Sequence, residues 1–273
     1  MIFQQKLTNI IKKNNSLLCI GLDSDFEKIP PHFKKKKYPM FEFNKAIIDA
    51  TSDLVCAYKP NSAFYEARGE KGIKELKMTC DYLRKKYPQI IIILDAKRAD
   101  IGSTNKGYAE FTFGYLGVDA VTLHPYFGKE ALEPFLKRAD KGSIILCRTS
   151  NPGAAEFQDC QCGGKPLYLK IAENVAKNWN KNKNCLLVVG ATYPAELKKV
   201  RKIAGDMTFL VPGIGAQGGE VETVIKAGLN SKKAGMIINS SRGIIFASRG
   251  KDFAKMARKE AEKLRNKINQ LRN

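Results

Sequence analysis

An aspartate, a lysine and a second aspartate fall within one short stretch, Asp95-Ala96-Lys97-Arg98-Ala99-Asp100, directly after the apolar run Ile90-Ile91-Ile92-Ile93-Leu94. That run is short and β-branched, which marks it as a strand buried on both faces rather than a helix. Residues two apart on a strand share a face, so Asp95 and Lys97 are expected side by side where the strand ends. Asp100 falls in the loop beyond, and Thr104 opens a helix. Two carboxylates and an ammonium at the mouth of an apolar core are costly unless they are paired and put to use. The plain alternative is an ion pair that only caps a strand.

The elements that must position these groups repeat along the chain. Eight apolar runs, Leu17–Asp23, Leu54–Pro60, Ile90–Lys97, Ala120–Pro125, Ser143–Ser150, Cys185–Ala191, Thr208–Gly215 and Gly235–Ser241, are continuous rather than alternating. Such runs suit parallel strands covered on both sides. Amphipathic stretches lie between them, among them Phe41–Asp53, Lys71–Tyr87, Lys129–Ala139, Pro166–Lys181 and Glu220–Ala227. Eight strand–helix units in 273 residues fit a closed (β/α)8 TIM barrel better than an open doubly wound sheet. No Gly-x-Gly-x-x-Gly follows the first strand, which weighs against a dinucleotide fold. No Pro/Gly/Ser linker divides the chain, so residues 1–273 are expected to form one barrel domain with a long basic helix, roughly Gly250 to Leu271, at its end. The one irregular insertion, Asn151–Gly164, shows no helix period and is the candidate lid.

Chemistry in such barrels collects at the carboxyl ends of the strands, and the polar residues fall there. Asp23 ends the first run, Lys59 and Asn61 the second, Asp95 and Lys97 the third, His124 the fourth, and Thr149 and Ser150 the fifth. The seventh run leads into Gly213-Ile214-Gly215-Ala216-Gln217-Gly218-Gly219 and the eighth into Asn239-Ser240-Ser241-Arg242-Gly243. Glycines that let backbone N–H groups approach an anion, beside an arginine able to make bidentate bonds, point to a phosphorylated substrate. His124 reads as a hydrogen-bonded support rather than a base.

Composition narrows the classes. The 44% hydrophobic content allows a sizeable core. Met1-Ile2-Phe3-Gln4-Gln5-Lys6 carries no basic-then-apolar leader pattern and no apolar run approaches membrane-span length, so a soluble, cytoplasmic protein with no membrane partner is expected. Seven cysteines follow no framework spacing, and Cys160-Gln161-Cys162 with only His32 and His124 makes a structural metal site unexpected. A net charge of +20, from 47 basic and 27 acidic residues, opens a nucleic-acid reading. The Lys34–Lys37 run and the basic residues from Arg249 to Arg272 are not interleaved with stacking aromatics, so a lysine-rich solvated surface with no nucleic-acid partner is preferred.

The stretch Ile92–Thr104 resembles the Asp-x-Lys-x-x-Asp-Ile signature with trailing Thr of the orotidine 5′-phosphate decarboxylase family, and its wording is similar to that of the family's second subfamily. Gly21-Leu22-Asp23-Ser24, Tyr58-Lys59-Pro60-Asn61, Arg148-Thr149-Ser150-Asn151-Pro152, Val211–Gly219 and Asn239–Gly243 resemble further pieces of that pattern in the same order. The resemblance spans about residues 15 to 260. It implies decarboxylation of orotidine 5′-phosphate to UMP, in pyrimidine synthesis, with no metal or organic cofactor. It assigns Lys97 to the reacting carbon, with Asp95, Asp100 and Lys59 completing an alternating chain of charges that keeps all four groups ionised. It gives Asp23 and Asn61 to the ribose, Thr149 and Ser150 to the pyrimidine edge, and Gly215, Gln217, Arg242 and Gly243 to the phosphate. It also implies a homodimer in which Asp100, Ile101 and Thr104 complete the partner's site. Two rivals stand beside it: a magnesium-dependent aldolase similar to 3-hexulose-6-phosphate synthase, and a basic nucleic-acid-binding barrel.

Overall fold

Eight parallel strands close on themselves in chain order in the computed structural model, which describes residues 2–214 and 220–272. The strands are β1 (Leu18–Gly21), β2 (Ala57–Lys59), β3 (Ile91–Arg98), β4 (Ala120–Leu123), β5 (Gly142–Arg148), β6 (Cys185–Val189), β7 (Phe209–Pro212) and β8 (Met236–Ser240). This is the expected (β/α)8 barrel. Its ladders are mostly shorter than the apolar runs, because the polar tail of most runs leaves the sheet to turn across the rim. The residues of β1, β2, β4, β6 and β8 are all buried, as the unbroken apolar pattern requires.

Register levels the rim. Gly21 pairs with Lys59 between β1 and β2, and Pro212 with Asn239 between β7 and β8. Closure brings β1 so near the end of β8 that a Cβ on Gly21 would lie 1.8 Å from Ser241 Oγ. Only glycine fits there.

The helices Pro39–Thr51, Gly69–Lys86, Gly128–Leu136 and Val221–Gly228 occupy the expected stretches with small shifts at their ends. The stretch expected as one helix over Pro166–Lys181 is an α-helix, Leu167–Asn174, that widens into a π-turn at Val175–Trp179. The helix after β3 begins at Gly102, two residues before Thr104. The insertion Asn151–Gly164 is less irregular than expected: Pro152–Ala154 forms a 3-10 turn and Ala155–Gln158 a helical turn. A proline at the first helical position starts it, and so few residues cannot display a period.

A helix over Phe3–Asn14, absent from the expectations, buries Phe3, Leu7 and Ile10. It lies across the amino-terminal mouth of the barrel, where a Cβ on Gly142 would meet the Phe3 ring at 2.8 Å. The final helix, Phe253–Arg272, packs on Pro39–Thr51 and is pinned by Arg258, which donates to Asp53 at 2.7 and 2.8 Å and to the Ala50 carbonyl at 2.8 Å. Five cysteines are buried as small apolar residues, and Cys160 and Cys162 are exposed.

Candidate active site at the carboxyl rim

A cavity of about 550 Å³ opens at the carboxyl ends of the strands, within the size range of small-molecule sites. Its walls carry Asp23 after β1, Lys59 and Asn61 at the end of β2, Asp95 and Lys97 on β3, Thr149 and Ser150 after β5, and Arg242 after β8. The structure thus gathers in one place eight of the residues selected from sequence.

The core of the site is a charge chain. Lys59 Nζ sits 2.6 Å from Asp95 Oδ2, and Lys97 Nζ sits 2.7 Å from Asp95 Oδ1. The Lys59 side chain is 3% exposed and that of Asp95 12%, whereas Lys97 is 50% exposed and reaches into the cavity mouth. Burial opposes the charge on Asp95, but the attraction of Lys59 and Lys97 outweighs it and holds the carboxyl well below the usual carboxylate range. Burial likewise opposes the charge on Lys59, and the neighbouring Asp95 and Asp23 override it, raising its ammonium above an ordinary lysine. Asp95 and Lys59 are therefore both ionised at neutral pH.

Asp95 and Lys97 do meet, though not by simple strand alternation. Leu94 pairs with Val121 and Arg98 with Leu123, so the three residues Asp95, Ala96 and Lys97 bulge out opposite Thr122 alone. Lys97 stands at φ +47°, a left-handed conformation that costs a lysine free energy and is characteristic of functional sites. Thr122 is 1% exposed, lines the cavity and was missed in the sequence. Its hydroxyl accepts from the Lys97 N–H at 2.9 Å and donates to Asp95 Oδ1 at 2.9 Å.

Around this chain the walls are polar and pre-set. Asp23 Oδ1 is buried and takes no hydrogen bond among the described residues. Asn61 accepts from Ala63 N–H at 3.2 Å to cap the helix Ser62–Glu66, leaving its amide NH2 to donate. Gln158, also missed, accepts from the Thr149 N–H at 2.9 Å and donates to Thr149 Oγ1 at 2.8 Å. Arg148, 2% exposed at the end of β5, donates to Gln158 and to Asp159 at 3.2 Å each, with its guanidinium 4.4 Å from the Tyr193 ring centroid. The first half of the candidate lid thus contributes Asn151 and Gln158 to the cavity wall. The signal that could have found Gln158 is its place seven residues after Asn151 in a segment too short for periodicity to speak.

Other selected residues lie elsewhere. Asp100, Ile101 and Thr104 stand outside the cavity wall, where Asp100 Oδ1 accepts from its own neighbour Ile101 N–H at 2.6 Å and Ile101 is 58% exposed. Gly243 is exposed and does not line the cavity. Gly215 and Gln217 lie outside the described residues. His124 packs beside Phe127, ring centroids 5.8 Å apart, and is not part of the wall.

Fold and cavity together define a (β/α)8-barrel enzyme with a lysine–aspartate–lysine chain at its carboxyl rim. Residues 16–257 match the model of the Orotidine 5'-phosphate decarboxylase / HUMPS family, and the chain belongs to that family. It is 52% identical over 244 residues to an orotidine 5'-phosphate decarboxylase of Cellvibrio japonicus, with 89% of each chain covered. Among solved structures it is similar to the OMP decarboxylase of Leishmania donovani, at 38% identity and a TM-score of 0.84, covering 99% of this chain and 100% of that one. It is also similar to the UMP synthase of the same organism at a TM-score of 0.88 and 38% identity; all of this chain is covered, and it spans 57% of that longer protein.

Proposed function

We propose that this chain decarboxylates orotidine 5′-phosphate to UMP in pyrimidine synthesis, without a metal or organic cofactor. Loss of CO2 leaves an electron pair at C6 of the pyrimidine with little resonance delocalisation. A site without an electron sink must stabilise that charge by fixed electrostatics. The observation that carries the reading is the Lys59–Asp95–Lys97 chain, whose half-exposed member points its ammonium into the cavity while the buried two hold it there. Lys97 stabilises the developing carbanion and then gives C6 a proton, becoming a neutral amine that regains its proton from solvent. Asp95, kept ionised, crowds the substrate carboxylate and orients Lys97.

The remaining assignments follow the walls. Asp23 and Asn61, which line the cavity, take ribose hydroxyls. Thr149, held by Gln158, and Ser150 meet the pyrimidine edge. Arg242 takes the phosphate together with Gly215, Gln217 and Gly243. Remote phosphate binding contributes to rate by fixing the reacting carbon against Lys97. Asp100, Ile101 and Thr104 serve a second copy in a homodimer: they are not part of their own chain's cavity wall, and the exposed side chains of Ile101, Tyr126 and Phe127 offer apolar surface.

The test is the fall in ultraviolet absorbance of orotidine 5′-phosphate mixed with purified protein, with and without a chelator. Turnover that survives chelation supports the reading. Absence of turnover, or turnover of formaldehyde with ribulose 5-phosphate only when magnesium is added, overturns it in favour of the aldolase.

A further inference from the structure

Thr122 occupies a position that the charge chain cannot do without. Where β3 runs past β4, three residues face one, and that one is Thr122. Its hydroxyl closes a ring: Lys97 N–H donates to Thr122 Oγ1, Thr122 Oγ1 donates to Asp95 Oδ1, and Asp95 Oδ1 accepts from Lys97 Nζ. The same lysine thus enters the ring at both its backbone and its side chain. A single group must accept on one side and donate on the other, which a hydroxyl does and an aliphatic side chain of equal shape does not.

The backbone at Lys97 gives the ring its importance. A left-handed lysine is held only where the surroundings over-determine it. In the ladder, the next β3–β4 pairing after Leu94 and Val121 comes at Arg98 and Leu123, so on this side the sheet does not fix the bulged residues; on the β2 side Asp95 N–H donates to the Pro60 carbonyl at 2.9 Å, and Lys97 is left to other ties. The bond from the Lys97 N–H to Thr122 is such a tie.

We infer that Thr122 is the positioning residue of the catalytic lysine: its hydroxyl fixes the Lys97 backbone in the bulge and sets the face that Asp95 turns toward the ammonium. This rests on the decarboxylase reading and adds to it a residue from a strand whose sequence shows only apolar packing. Thr122 acts through Asp95 and Lys97, so its loss changes the rate of the chemical step and not the fit of the substrate.

The experiment compares Thr122→Val, Thr122→Ser and the unaltered protein for kcat and KM toward orotidine 5′-phosphate, and for the affinity of UMP. Valine keeps the shape and removes the hydroxyl, so kcat falls about 10–100-fold, the range for losing a hydrogen bond to a charged group. KM and UMP affinity stay within about threefold, and Thr122→Ser restores kcat to within about threefold of the unaltered protein. Should the valine protein fail to fold, Thr122→Ala against Thr122→Ser makes the same comparison. Equal losses in the serine and hydroxyl-free variants, an unchanged kcat, or a loss confined to KM overturns the positioning role. An unaltered protein that does not turn over the substrate refutes the decarboxylase reading itself, and this inference with it.

Discussion

Replacing Lys59 with methionine tests the charge chain where it is most buried. The substitution keeps the length and apolar stem of the side chain and removes one ammonium 2.6 Å from Asp95 Oδ2. Asp95 is then a buried carboxylate with half of its compensation gone, in a place where its side chain is 12% exposed. Breaking a buried pair by removing one partner costs roughly 3–5 kcal/mol. Asp95 in the native protein is held below its unfolded value of about 3.9, so its share of stability is present above that pH and fades as the pH falls toward its folded value. Lys59 is held above its unfolded value of about 10.4, so its share is present below that pH and is lost as the pH rises through its folded value. The stability gap between the native and Lys59→Met proteins is therefore full from about pH 5 to pH 10 and narrows below about pH 4, by at most about 1.4 kcal/mol per pH unit. Urea unfolding followed by far-ultraviolet circular dichroism at pH 7 and pH 3 measures it. A second change, Asp95→Asn, removes the stranded charge while keeping a group that Thr122 can bond, and the half-exposed Lys97 turns to water. The double variant should regain most of the lost stability while remaining inactive. A loss under about 1 kcal/mol in Lys59→Met, or no recovery in the double variant, refutes the view that charge balance at Asp95 holds the site together.

Lys97→Ala should lower kcat by about a thousandfold or more while UMP binds nearly as before, because the ammonium acts on charge that develops only in the transition state; kcat and UMP affinity of the folded variant decide it. Arg242→Ala should weaken ligands that carry the phosphate by about 2–4 kcal/mol and leave binding of the nucleoside orotidine almost unchanged, a contrast that calorimetry reads directly. Inactive Lys97→Ala and Asp100→Ala proteins, mixed equally under subunit exchange, should recover roughly a quarter of native activity, since half the dimers are mixed and one of the two sites in each is complete. Exchange without recovery places Asp100 in its own site.

Much of the architecture was legible because parallel barrel strands are buried on both faces and write continuous apolar runs, with chemistry where each run stops. Asp23, Lys59, Asp95, Lys97 and Arg242 were found by that rule alone, and they line one cavity. Thr122 was not, since it lies inside Ala120–Leu123, where a buried threonine looks like any β-branched packing residue. The bulge that gives it meaning is a register event between two strands and leaves no mark in either one read singly. Gln158 stayed hidden in an insertion whose helical turn is shorter than one detectable period. The helix Phe3–Asn14 was legible in principle from the spacing of Phe3, Leu7 and Ile10, but the segment was weighed only as a leader. Asp100, Ile101 and Thr104 share a motif with Lys97, yet sequence proximity does not put them in one wall of one chain.

The two helices that begin and end the described chain meet beneath the barrel. Asn269 Nδ2 donates to the Asn15 carbonyl at 2.8 Å, and Phe3 N–H donates to the Ala139 carbonyl, just ahead of β5, at 3.3 Å. Both points of attachment are thus on the face farthest from Lys97 and Arg242. A surface tether, a fluorescent tag or a second folded module joined near Phe3 or Arg272 hangs from the floor of the molecule, and traffic through the opposite mouth is left unobstructed.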